Sequence, residues 1–165
     1  MIGASVTGGR SVRIMTDADL RSAIEIVRGL PDYFTDDVPE KVPVDWADGT
    51  GWVVESGSSV VGFAVVRRQS AAVAEIVWMA VAGARRGEGA GSVLLDAVVD
   101  ELGADGVRVI EVKTLDASAD YPPYVGTRAF WERHGFVQVD TVDPMPGWQP
   151  GNPAAVYVAA LRPTR

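Results

Sequence analysis

The stretch richest in chemical potential is Arg85-Arg86-Gly87-Glu88-Gly89-Ala90-Gly91. Glycines let a backbone approach a ligand closely and take up positive φ. The helix expected to begin here would present unpaired amide donors and the positive end of its dipole. Such a corner suits phosphate or pyrophosphate, and Arg85 or Arg86 would add a full positive charge. The same residues could also form a tight strand-to-helix turn that binds nothing. Two rival nucleotide motifs fail on register. The dinucleotide fingerprint needs G-x-G-x-x-G after the first strand of a βαβ unit, and a P-loop needs Gly-Lys followed by Ser or Thr.

Composition narrows the remaining chemistry. There is no cysteine, and His134 is the single histidine. Disulfides, thiolate metal sites and a cysteine nucleophile are excluded, and no metal is expected. Catalysis must rest mainly on carboxylates, tyrosines, backbone amides and a bound cofactor. Glu75 stands in an apolar stretch with Ile76, Val77 and Met79. It reads as a solvated carboxylate, as half of a buried ion pair, or as a partly buried and therefore stronger base. Tyr121 and Tyr124 lie in a Tyr-Pro-Pro-Tyr segment, where packing is the plain alternative to function. Phe130 and Trp131 read as core, and His134 as a residue suited to a helix C-terminus.

The formal net charge is −7. No basic footprint exists for a nucleic acid partner. Between Pro31 and Thr50 stand Asp32, Asp36, Asp37, Glu40, Asp45 and Asp48, against only Lys41. This is either a solubilising face or a rim that attracts a cationic substrate. No apolar run is long enough to span a membrane, and the start MIGASVTGGR has no apolar leader segment. A cytoplasmic protein with no membrane partner is expected.

These residues need a scaffold, and 165 residues suffice for one domain. Ser11 to Met15 reads as a first strand. Thr16, with Asp19 three residues on, reads as a capping box before a helix carrying Leu20, Ile24, Val27 and Leu30. Residues 32–43 are a helical turn or loop. Trp52 to Glu55 and Val60 to Arg67 form a hairpin, and Ala72 to Val81 a third long strand. Gly89 to Leu102 is a helix with Leu94, Leu95, Val98, Val99 and Leu102 on one stripe. Val107 to Leu115, apolar on both faces, is a buried strand. Thr127 to His134 is a helix stopped by Gly135. Phe136 to Val142 and Ala155 to Leu161 are closing strands around a proline-rich loop. The order implies a mixed sheet with helices on its faces.

In this order of elements the chain resembles the GNAT superfamily of N-acetyltransferases. Arg86-Gly87-Glu88-Gly89-Ala90-Gly91 matches the family's Arg/Gln-x-x-Gly-x-Gly/Ala. Ala74 to Val81 looks like its fourth strand. Thr127 to Phe136, through Phe130, Trp131 and Gly135, looks like its A-x-x-F-Y-x-x-x-G-F segment. The resemblance covers roughly residues 11–161. It implies an α/β (α+β) fold: a mixed, mostly antiparallel, twisted sheet of about seven strands with helices on both faces. Residues 1–10 would be a flexible tail and 11–165 a single N-acetyltransferase domain.

The resemblance also implies roles. Amides of Gly87, Gly89, Ala90 and Gly91, with Arg86 beside them, would hold the pyrophosphate of acetyl-coenzyme A as co-substrate. Backbone groups of Met79 and Val81 would pair with its pantetheine, which enters where the family's fourth and fifth strands splay apart. Glu75 stands where some members carry a general base. Trp131 replaces a tyrosine that often protonates the leaving thiolate, and Tyr124, where many members have asparagine, is the substitute candidate. The expected reaction is direct acetyl transfer to a small-molecule or peptide amine in a ternary complex. The alternative is a catalytically silent acyl-coenzyme A sensor, which Trp131 motivates. A homodimer is possible on family grounds.

Overall fold

The computed structural model describes residues 5–7 and 9–161. Its described residues form one eight-stranded sheet: β1 (Ser5–Thr7), β2 (Arg10–Ile14), β3 (Thr50–Ser56), β4 (Ser59–Arg68), β5 (Val73–Val81), β6 (Val109–Leu115), β7 (Val137–Val142) and β8 (Ala154–Ala160). The spatial order is β1-β2-β3-β4-β5-β6-β8-β7. Only β5 and β6 run parallel, and every other neighbouring pair is antiparallel. This is the α/β, mostly antiparallel architecture expected, in a single domain.

The added strand corrects the reading of residues 1–10. Ser5–Thr7 pairs with Arg10–Val12 in register. Gly9, at φ +77°, turns the chain between them. Val6 and Thr7 are good strand formers whose signal is short and sits beside two glycines, so it reads as a tail. Residues 1–4 and 8 lie outside the described residues.

Helices cover both faces. On one side α3 (Ala90–Ala104) and α4 (Pro123–Arg133) pack on the sheet. Leu94, Leu95, Val98 and Trp131 meet Trp52, Ala64, Ile110 and Tyr157 in that core. On the other side α1 (Leu20–Arg28) and α2 (Val38–Ala47) bury Ala23, Val27 and Val42 against Val53, Phe63 and Val65. Because β3 and β4 are buried on both faces, they read as continuous apolar runs rather than alternating ones. α2 sharpens the loop-or-helix reading of residues 32–43. Pro39 occupies its first turn, and Pro43 lies inside the helix. Pro43 would otherwise have donated its N–H four residues back, to Pro39, so a single bond is forgone.

Two buried carboxylates pin the loops of this fold. Asp19 accepts from Arg13 Nη1 at 2.7 Å and from the Thr16 amide at 2.8 Å. The Arg13 guanidinium and then Thr16 hold its carboxyl down to about 2. Asp116 accepts from the Ser118 amide at 2.9 Å, Gln138 Nε2 at 2.8 Å and Thr141 Oγ1 at 3.0 Å. These bonds, that from Ser118 foremost, bring it down to about 2 as well. A carboxyl depressed by folding stabilises the fold above its unfolded value and loses that contribution as pH falls through the folded one. Each should contribute about 2 kcal/mol that disappears between roughly pH 4 and pH 2. Urea titrations across that window should show it, and Asp116→Asn should remove one share of the pH dependence.

Candidate active site

The β5–β6 ladder runs from Val73↔Val109 to Ile76↔Val112 and ends there, although β5 continues to Val81 and β6 to Leu115. Beyond Ile76 the two strands have parted. The β4–β5 register shifts at Val65/Val66, leaving Val77 as the extra residue on β5. Past this bulge the pairs Phe63↔Ala80 and Gly62↔Val81 follow, and the Ala82 amide donates to Val61 O at 2.8 Å. In an antiparallel ladder the peptide groups of alternate residues point to opposite edges. Ala80 and Ala82 therefore turn theirs toward β4, and Met79 and Val81 turn theirs toward the parting. The edge groups at the two positions picked out from sequence are available to a ligand.

β5 leads directly into the glycine turn. Gly87 and Gly89 have φ of +80° and +84°. A Cβ at either would meet nothing within 4 Å. Their conformation, rather than crowding, is what asks for glycine. Among the described residues no backbone hydrogen bond is donated by the amides of residues 87–89. The first amides of α3, from Ala90 on, have no partner within their helix. Gly91 is different: a Cβ there would lie 3.3 Å from Phe130, so α4 closes on the turn from behind. Glu88 is held outward by Arg85 at 2.9 Å and Arg10 at 3.2 Å. The cradle of amides thus suits an anionic diphosphate. One cleft of about 1250 Å³ joins this turn to β5, to the segment after α1 and to the loop before β8.

A profile of the family described as "Acetyltransferase (GNAT) domain" matches residues 47–138. The chain belongs to the GNAT acetyltransferase family. No curated protein matches it in sequence. Solved structures share the fold at low identity. A GCN5-related N-acetyltransferase from Kribbella flavida is 22% identical with a TM-score of 0.73, over 93% of this chain and 98% of that one. The ribosomal-protein-S18-alanine N-acetyltransferase from Escherichia coli is 17% identical with a TM-score of 0.76, over 94% and 96%. A GNAT family acetyltransferase from Elizabethkingia anophelis, solved with acetyl-CoA bound, is 16% identical with a TM-score of 0.72, over 94% and 100%.

In this GNAT acetyltransferase the side chains divide between two halves of the cleft. Arg86, expected beside pyrophosphate, lines the cleft but lays its guanidinium over the Tyr33 ring, 4.2 Å from the centroid. Tyr124 packs on the same ring at 5.4 Å and donates its hydroxyl to the Tyr33 carbonyl. Burial pushes Tyr124 up to about 12. Through these contacts Tyr124 holds Tyr33 and its segment beside the glycine turn.

Glu75 is the ion-pair alternative made real. It is 7% exposed and lines the cleft. Oε1 accepts from Lys113 Nζ at 2.8 Å, and Oε2 from Gln69 Nε2 at 3.1 Å and Arg67 Nη2 at 3.3 Å. Lys113 also pairs with Glu111. Both of its oxygens are thus engaged by donors from the neighbouring strands and the loop between β4 and β5. Sequence reasoning missed Arg67, Gln69 and Lys113 as its partners. A signal existed in Glu111 and Lys113: β6 alternates buried and half-buried positions, with both charges on the half-buried face, so it is not the strand apolar on both faces that was expected.

Trp131 is 5% exposed and packs edge-on against Phe130 and Phe136. It belongs to the core and forms part of the cleft floor. His134 caps α4, donating Nδ1–H to Phe130 O at 2.8 Å, and its Nε2 lies 3.0 Å from Ser92 Oγ in the first turn of α3. Among the described residues no group of side chains is arranged to hold a metal ion, and no helix is long and apolar enough to cross a membrane.

Proposed function

We propose that this protein moves an acetyl group from acetyl-coenzyme A to a primary amine, by direct attack within a ternary complex. The observation that carries the reading is the open edge of β5 running straight into the Gly87–Gly91 cradle. The amides of Gly87, Gly89, Ala90 and Gly91 hold pyrophosphate. Arg86 reaches the same anion once it leaves Tyr33. Met79 and Val81 pair with pantetheine as a further strand would. The reacting thioester then lies near the parting of β5 and β6.

The nitrogen bonds to the thioester carbon, the C–S bond breaks, and sulfur leaves as a thiolate that water can protonate. A backbone amide of β5 near the bulge meets the developing oxyanion. The amine arrives protonated at neutral pH, and its surplus protons pass to water and carboxylates on the acceptor side. With no cysteine to carry an acyl group, transfer in one step is the simpler route.

The acceptor enters past the segment from Tyr33 to Trp46. Tyr33, Phe34, Asp37, Lys41 and Asp45 line that side. Its carboxylates attract cationic amines at a distance rather than binding them tightly. For a cationic acceptor kcat/KM should fall as salt rises from low ionic strength, while a neutral-bodied amine of the same size responds less. Initial rates of coenzyme A release across a salt series test this. A preference for anionic acceptors with no salt response would refute the assignment of the acceptor side.

A further inference from the structure

Several carboxylates line the acceptor half of the cleft, but they are not equally free. Both oxygens of Glu75 are taken by Arg67, Gln69 and Lys113. Asp37 is held by Thr35 and by Lys41. Asp32 is exposed at the rim, and among the described residues no side chain orients it. Asp45, in the last turn of α2, is the one held in a fixed direction without being used up. Its Oδ2 accepts the Trp78 indole N–H at 2.7 Å. Its Oδ1 has as its nearest cation Arg67 Nη1 at 3.8 Å, beyond hydrogen-bond reach. The side chain is 24% exposed. Trp78 thus fixes one oxygen, while the other accepts no hydrogen bond from the described residues and faces Arg67 only across a long salt bridge, which an incoming ammonium would have to displace.

The surroundings define what that ligand is. Phe34 meets the Trp78 ring edge-on, with centroids 6.3 Å apart, and both line the cleft. A carboxylate beside aromatic walls receives an ammonium through a charge-assisted hydrogen bond, and the rings present apolar surface to whatever carries it. Trp78 follows the Val77 bulge on β5, just past the point where β5 leaves β6. A nitrogen held by Asp45 is therefore tied to the strand that carries the cofactor edge. We propose that Asp45, oriented by Trp78 and walled by Phe34, is the subsite that receives the acceptor's primary ammonium, and that the acceptor carries this ammonium on an apolar body. The proposal rests on the acetyl-transfer reading for its purpose, and on the Asp45–Trp78–Phe34 geometry for its location.

The test uses the full chain and a simple probe, n-butylammonium. The Trp78 indole N–H resonance, assigned through Trp78→Phe, reports directly on Asp45. Titration at constant ionic strength should give a saturable shift of that resonance. n-Butanol and butyrate should give none. Asp45→Asn keeps an acceptor for Trp78 while removing the charge, and should weaken the response about tenfold or more. The same variant should raise KM for amine acceptors by a similar factor and leave acetyl-coenzyme A affinity unchanged. A shift that does not saturate, that n-butanol reproduces, or that persists undiminished in Asp45→Asn overturns the proposal. Failure of wild-type protein to bind acetyl-coenzyme A would strike the transfer reading instead, since the indole titration needs no cofactor.

Discussion

Gly89→Glu should remove nearly all of the stabilisation that acetyl-coenzyme A confers. For wild-type protein at a hundred times the dissociation constant, that stabilisation is about 2.7 kcal/mol. Gly89 is the N-cap of α3 at φ +84° and φ/ψ in the left-handed region. A glutamate there is strained at the backbone. It also sets a negative charge where the free amides and the positive end of the helix dipole otherwise favour an anion. Space is no obstacle to folding, since a Cβ at this position meets no atom within 4 Å. The variant should therefore melt slightly below wild type without ligand and gain almost nothing with it. Gly89→Ala separates the two causes. It carries the strain without the charge, so it should retain part of the cofactor response. Thermal melts with and without acetyl-coenzyme A, backed by calorimetric titration, measure both.

Substitutions at Glu75 should reveal an ion-pair anchor rather than a base. Glu75→Leu leaves Lys113 and Arg67 converging on an apolar side chain. Lys113 retains Glu111, and Arg67 has Asp45 within 3.8 Å. The loss should accordingly stay at the lower end for a broken buried pair, about 3 kcal/mol. Glu75→Gln keeps the shape and two acceptor lone pairs and should cost about 1–2 kcal/mol. Its effect on chemistry is the sharper question. Losing a general base slows turnover by roughly 10²- to 10⁴-fold. The three donors on Glu75 predict instead that kcat, per folded molecule, falls by less than about tenfold and that the pH–rate profile keeps its acidic limb. Denaturant titration and a pH series of kcat on the same preparation decide between the two roles.

How far the sequence foretold this site depends on the range of the interactions involved. The β5–turn–α3 unit was legible because its signals are local. A β-branched run precedes closely spaced glycines and a helical stripe, and each residue's role follows from its own backbone. The edge polarity of Met79 and Val81 was legible through the family resemblance, and the register accounts for it physically: the bulge at Val77 and the bond from Ala82 to Val61 O set which peptide groups face outward. The partners of Glu75 were not legible. Arg67 and Lys113 come from β4 and β6, on either side of β5, and only sheet registration brings them together. The same holds for Arg86 on Tyr33 and for Asp45 under Trp78, which join segments far apart in sequence. The acidic run from Asp32 to Asp48 shows the limit clearly. Its composition suggested a cation-attracting rim, but only the structure distinguishes Asp45, with one oxygen that accepts no hydrogen bond among the described residues, from Asp37, whose carboxylate is tied to Thr35 and Lys41.

The most direct test of acetyl transfer to an amine follows coenzyme A release from acetyl-coenzyme A, with and without primary amines, and analyses the amine by mass spectrometry. Thiol release should depend on the amine, be matched one for one by a product carrying a single acetyl group on nitrogen, and be lost in Gly89→Glu. Tight acetyl-coenzyme A binding with thiol release that is the same whether or not any amine is present would contradict it.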